Sequence, residues 1–384
     1  MDRIYFDHNS TGPLRPEARA AWLEVADQVG GNPSSLHDAG RRSRHVIDEA
    51  RERVAAALDV PEDTIVFTSG GTESNNTALF GILRTPGRGG LVTTRIEHSS
   101  VMEAADVLRD RGIDVRHVGV DRRGATDPEE VRVQVAERKP QLVSIGAANN
   151  EVGSLSPMRR LSEALGSGSD RPLFHTDAVQ ALGRVPVQPR EWNVDLASFS
   201  AHKVGGPVGV GVLFCKSGTP LQPLLYGGGQ ERGLRPGTED APGIAAASVA
   251  IELAVREQAE FHRHTSELSA YFWSELVGLL PTVEMIGPDV TSTDRLPNTL
   301  NVRLPGTDGK VLVTQLDLEG LQVSAGSACA SGSLEPSHVL LAMGLRDDDA
   351  RSGLRVSFGR NNTRDECKRA VEILRIVASR SRAT

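Results

Sequence analysis

From about residue 65 to residue 215 the chain alternates short apolar runs with stretches whose apolar positions recur at helical spacing. Ile65-Val66-Phe67 precedes a helical pattern over residues 73–83, and Gly90-Leu91-Val92-Thr93-Thr94 precedes one over 101–108. Ile113, Val115 and Val118 come before a helical stretch at 128–137, and Leu142-Val143 with Ile145 before another at 158–165. Leu173-Phe174, the alternation around Leu196, and Val210-Gly211-Val212-Leu213-Phe214 add further short runs. Strands that alternate with helices of this length need crossover connections, which predicts an α/β unit on a mostly parallel central sheet flanked by helices. A single long helical pattern, rich in Ala, Glu and Leu, then covers about 241–279. Beyond the loop at 287–294 come a strand at 298–302, a helix from Asp308, a short strand at 321–324, a helix near 336–343, a strand at 354–358 and a last helix to about Ser379. This second series predicts a smaller α+β domain, joined by the N-terminal segment. The expected boundaries are 14–255 for the large domain and 1–13 plus 256–384 for the small one.

Composition narrows the class. With 384 residues the chain is long enough for two packed domains, and its 39% apolar and 24% charged residues exclude disorder, collagen and coiled coil. The formal charge of −7 and the lack of a Lys/Arg run leave no electrostatic footprint for nucleic acid. No stretch reaches the roughly 18–20 apolar residues of a membrane span. Met1-Asp2-Arg3-Ile4-Tyr5-Phe6-Asp7-His8 has no apolar signal region, so a cytoplasmic protein is expected. Cys215, Cys329 and Cys367 are odd in number and widely spaced, which disfavours a disulfide framework or a structural metal and leaves a reactive thiol open. Lysine is scarce: Lys139, Lys203, Lys216, Lys310 and Lys368 stand among 43 basic residues. A lysine retained in an apolar, glycine-flanked setting therefore invites a chemical explanation.

Lys203 has that setting. Val194-Asp195-Leu196-Ala197-Ser198-Phe199 reads as a strand running into Ser200-Ala201-His202-Lys203 and then glycines. Burial at such a turn lowers an amine's pKa and frees it to attack a carbonyl, while Ser200 and His202 beside it suit a phosphate. A surface loop lysine is the plain alternative. Asp177 ends another predicted strand, where an acid can pair with a protonated pyridine nitrogen or simply cap a turn. Thr68-Ser69-Gly70-Gly71-Thr72-Glu73-Ser74-Asn75-Asn76 is a strand–glycine–helix junction whose free amides favour an anion, though it lacks P-loop or dinucleotide spacing. His98, in Arg95-Ile96-Glu97-His98, follows a strand as well. All four pieces fall at the carboxyl ends of strands, where ligands bind in open α/β sheets.

In these motifs, and in Asn149-Asn150-Glu151-Val152-Gly153, His175-Thr176-Asp177-Ala178-Val179-Gln180, Gly227 to Thr238 and Ser327-Ala328-Cys329, the chain resembles the cysteine desulfurases over nearly its whole length. These are class V aminotransferase-like enzymes of the nitrogen-fixation and iron–sulfur-assembly group, which depend on pyridoxal 5'-phosphate. The resemblance implies the fold type I architecture of pyridoxal-phosphate transferases. It implies that Lys203 bonds the cofactor aldehyde, that Asp177 pairs with the ring nitrogen, and that His98 stacks on the ring and moves protons. Gly71, Thr72, Ser200 and His202 fall to the phosphate, and Gln180 and Asn150 to cofactor or substrate. Arg355 matches the arginine that clamps the substrate carboxylate, for which a planar fork is suited. Thr238 would reach the cofactor of a second subunit, making a homodimer part of the site. The chain departs from the pattern at His8, Ser99, Val208 and Asn361, and none of these departures removes a group that the chemistry needs.

Lysine and acid alone leave aminotransferase, lyase and desulfurase open, and Cys329 separates them. It lies in a run of small residues with two glycines, about 324–334, which is expected to move and to carry a thiol from cofactor to an outside sulfur acceptor protein. Cys215 and Cys367 read as packing residues. The expected reaction converts L-cysteine to L-alanine and leaves a persulfide on Cys329. A selenocysteine or cysteine-sulfinate lyase, or a non-catalytic assembly scaffold, are the rival readings.

Overall fold

The structure, a computed structural model, describes residues 3–85, 87, 89–168, 170–326 and 335–381. In chain order the strands are β1 (Ile4–Tyr5), β2 (Ile65–Thr68), β3 (Gly90–Thr94), β4 (Asp114–Val118), β5 (Leu142–Ser144), β6 (Leu173–Asp177), β7 (Leu196–Ser200), β8 (Gly211–Cys215), β9 (Glu284–Ile286), β10 (Thr299–Arg303), β11 (Leu321–Gln322) and β12 (Gly353–Ser357). Among the described residues, seven strands form the main sheet in the order β2-β8-β7-β6-β5-β3-β4. β8 runs antiparallel to both neighbours and the other pairings are parallel, as the alternation of strands and helices predicts. The inner strands are buried on both faces, which explains why they read as apolar runs rather than alternations.

Helices α1 (Pro16–Gln28) and α2 (Asp38–Leu58) precede this sheet, α3 (Gly71–Ile82) follows β2 and α4 (Ser99–Asp110) follows β3. On α2, Ile47, Ala50, Val54 and Leu58 recur at helical spacing and join Phe67, Phe174 and Phe199 in the large core. A second core gathers Ile4 and Phe6 with residues from 268 to 378. Its centre is three rings, Phe6, Phe272 and Phe358, meeting edge to face at 4.9, 5.6 and 6.1 Å. β1 pairs in parallel with β11, and β9, β10 and β12 form an antiparallel sheet, so the start of the chain sits among its C-terminal elements.

The long helix expected over 241–279 is two helices, Ala241–Arg256 and Gln258–Leu279. Glu257 leaves helical geometry between them, and its carboxylate accepts from Arg15 at 2.7 Å. Helical periodicity persists across one such residue, so the pattern hides the break. Ahead of these helices, Glu231 and Arg232 both adopt left-handed backbone, with φ of 47° and 56°. Buried Glu231 anchors that turn to β2: it takes two bonds from Arg51, at 2.6 and 2.9 Å, and one from the Phe67 amide at 2.8 Å. No helix among the described residues is long and apolar enough to cross a membrane.

Candidate active site

β2, β3, β6 and β7 all end on one side of the sheet, and their following residues line one cavity. At the end of β2 the chain turns through Ser69 and Gly70 into α3. A Cβ on Gly71 would stand 2.8 Å from Val179 Cγ2 and 3.7 Å from Ser200 Cβ, so only glycine lets the helix start this close to the β6 and β7 junctions. First-turn amides have no acceptor within their own helix, and the helix dipole adds positive potential there. Thr72, Ser200 and His202 share this wall, which together makes a cradle of N–H and hydroxyl donors for an anion. Glu73 is turned to other partners: it accepts from the Ser69 amide at 2.7 Å and from Arg235 at 3.0 Å.

Asp177 closes β6. Its carboxylate accepts from Asn75 Nδ2 at 2.7 Å and from the Val179 amide at 3.0 Å. Asn75 Nδ2 also donates to Ser100 Oγ at 2.8 Å. That hydroxyl lies 2.8 Å from His98 Nδ1, which also receives the Ser100 amide at 3.2 Å as the cap of α4. Because Ser100 Oγ accepts from Asn75, its own hydrogen goes to His98 Nδ1. A neutral His98 therefore carries its proton on Nε2, an assignment made from the hydrogen-bond network. Beside it, Glu97 is buried, bonded by Thr94 Oγ1 at 2.7 Å and the Gly146 amide, and burial pushes its carboxyl up to about 7.

Lys203 stands on the tight turn Ala201–Val204 that follows β7. Its Nζ donates to the carbonyls of Asn9 at 2.8 Å and Ser10 at 2.6 Å. Gln180 Nε2 reaches the same Asn9 carbonyl at 3.0 Å. Arg355, on β12, is 1% exposed and donates through Nη2 to Asp7 Oδ1 at 2.6 Å and Ser10 Oγ at 2.7 Å, and through Nη1 to the Asn150 carbonyl at 3.2 Å. Residues 7–10 thus bridge the lysine of the main sheet and the arginine of the second sheet. His202 lies against Thr11 Oγ1 at 3.1 Å, and burial, aided by the Lys203 and Arg184 charges, lowers its ring to about 4.

One cavity therefore brings together Gly71, Thr72, His98, Asn150, Asp177, Gln180, Ser200, His202, Lys203 and Arg355. Thr238 is exposed and does not line it. Cys329 lies outside the described residues, as does most of the segment at 324–334. Cys215 and Cys367 are buried, and burial pushes their thiols up to about 11 and about 12. The sequence alone assigned no role to Asp7, Asn9, Ser10, Asn75, Glu97 or Ser100, although Asn75 and Glu97 lie inside its motifs. Asn75 had a readable signal, since it lies one helical turn beyond Gly71 and Thr72 on the face that meets the cradle.

A model of the aminotransferase class-V family matches residues 4–370. Pyridoxal 5'-phosphate is that family's cofactor. Over 382 residues the chain is 40% identical to a cysteine desulfurase IscS of Dictyoglomus turgidum, covering 99% of this chain and 95% of that protein. A solved NifS-like protein superimposes with a TM-score of 0.91 at 37% identity, covering 98% of this chain and 99% of the other. SspA, solved in complex with cysteine, gives a TM-score of 0.79 at 29% identity, over 92% of this chain and 98% of that one. The chain belongs to the class-V aminotransferase family and, within it, to the cysteine desulfurases.

Proposed function

We propose that this protein converts L-cysteine to L-alanine and passes the sulfur, as a persulfide on Cys329, to an acceptor protein. The observation that carries this reading is one cavity holding an amine, Lys203, an acid, Asp177, a histidine, His98, and an anion cradle at the start of α3. These groups fit pyridoxal phosphate by chemistry. The cradle of Gly71, Thr72, Ser200 and His202 suits a phosphate, Asp177 a pyridinium nitrogen, and Lys203 an aldehyde. When bound, the cofactor supplies an electron sink for charge released at the substrate Cα.

The protein's residues do the rest. Lys203 takes the Cα proton, and Asn150 and Gln180 orient cofactor and substrate. Arg355 binds the substrate carboxylate, and His98 presents Nε2 for proton transfer. The Cys329 thiolate attacks the substrate sulfur: an S–S bond forms and the Cβ–S bond breaks. Its electron pair stays with the three-carbon fragment, and a proton delivered to Cβ together with return of the Cα proton from Lys203 completes alanine. Relatives named cysteine desulfurase, and a neighbour solved with cysteine, support the substrate.

The same reading divides the chain at 14–255 and 1–13 plus 256–384. It places exposed Thr238 at the cofactor of a second subunit in a homodimer. The test is alanine formed from L-cysteine by the cofactor-loaded protein. Lys203→Ala should abolish both turnover and the lysine-dependent absorption of the bound cofactor, and undiminished alanine from that variant would refute the assignment.

A further inference from the structure

We infer that Asp7 holds the place of the substrate carboxylate on Arg355 and yields it when substrate enters, so that Asp7 sets how strongly the site selects a carboxylate. This rests on Arg355 being the carboxylate-binding group.

A guanidinium has five N–H donors and two edges that can grip a carboxylate side by side. One edge pairs Nε–H with an Nη2 hydrogen, and the other pairs an Nη1 hydrogen with the second Nη2 hydrogen. Both Nη2 hydrogens of Arg355 are committed, to Asp7 Oδ1 at 2.6 Å and to Ser10 Oγ at 2.7 Å. Neither edge is therefore open for a two-point grip. Nε is buried and has no hydrogen-bond partner among the described residues. A buried donor on a charged group is costly to leave unmet, and such vacancies call for an explanation. Here Nε–H is half of one edge, and the occupant of Nη2 blocks the other half.

A substrate carboxylate that takes Nε–H completes its grip by displacing that occupant. Exchange with Asp7 is like for like, since the guanidinium keeps an anionic partner throughout, whereas loss of Ser10 alone would crowd two carboxylates on one cation. Asp7 also has somewhere to go: its side chain is 19% exposed against 1% for Arg355. Arg355 cannot follow it. Its backbone is paired with Asn301 on β10 and bonded to Ser324 in both directions, at 2.6 and 3.2 Å. The movable part is the Asp7 side chain.

The alternative is that Asp7 merely props Arg355 in position, and the two roles predict opposite signs. The cofactor-loaded protein is titrated with L-alanine and with L-alaninamide, which lacks the carboxylate, and binding is read from the cofactor's absorption. In Asp7→Asn, L-alanine should bind on the order of tenfold more tightly, the size of one displaced charged contact. L-Alaninamide should be unchanged, and KM for L-cysteine should fall without a matching rise in kcat. Asp7→Ser should give the same direction, which guards against a defect peculiar to one variant. Unchanged or weaker L-alanine binding in both would overturn the inference. Arg355→Gln, which removes the cation, separates the underlying reading: if it keeps the preference for L-alanine over L-alaninamide, Arg355 does not bind the carboxylate, whatever Asp7 does.

Discussion

Asn75 donates to the Asp177 carboxylate at 2.7 Å, and through its second hydrogen it reaches Ser100 and then His98. The acid at the end of β6 and the imidazole at the start of α4 are thereby oriented by one buried amide. Asp177 is an acceptor, so it fixes which end of the Asn75 carboxamide faces it. The direction of every later hydrogen bond follows.

Removing that amide should cost the reaction a hydrogen bond to a charged group and the orientation of two side chains. Asn75→Ala is expected to lower kcat for L-cysteine by roughly 10- to 100-fold, with cofactor still bound. Steady-state kinetics with cofactor content measured in parallel checks this, and a kcat within about twofold of the parent would show that the relay has no role.

Buried histidines are expected to weaken the fold as pH falls. Burial lowers His175 to about 3, and its ring is bonded to Ser144 Oγ at 2.8 Å and Ser198 Oγ at 3.0 Å. A base whose pKa falls on folding is protonated first in the unfolded chain. Its stabilising contribution is whole above its unfolded value of 6.5 and is lost as pH falls toward 3. Glu97 acts oppositely, since a carboxyl raised to about 7 weakens the fold as pH rises from 4.5. Comparing variants isolates the histidine. His175→Gln should lose less stability than the parent between pH 6.5 and pH 5, measured as urea midpoints, and equal losses would contradict the assignment.

Much of the site was legible because its chemistry sits at strand ends. Lys203, Asp177, His98 and Gly71 each follow an apolar run, and in a parallel sheet those ends converge. Asp7, Asn9 and Ser10 were not legible, because nothing local reports a partner 194 or 348 residues away. The sequence shows Arg355 as an available fork, whereas folding commits both of its Nη2 hydrogens before any substrate arrives. Asn75 is readable as a neighbour of the cradle, but Ser100 reads as an ordinary helix residue, and only the approach of α3 to α4 joins the two in a relay. The same limit applies to the break at Glu257, whose carboxylate meets the distant Arg15.

The central claim is that sulfur leaves cysteine on a thiol of this chain. L-Cysteine, a reductant and the cofactor-loaded protein should yield alanine and sulfide in equal amounts, and Cys329→Ala should yield neither. Alanine formed undiminished by Cys329→Ala would contradict the account and assign the chain to a lyase that needs no persulfide.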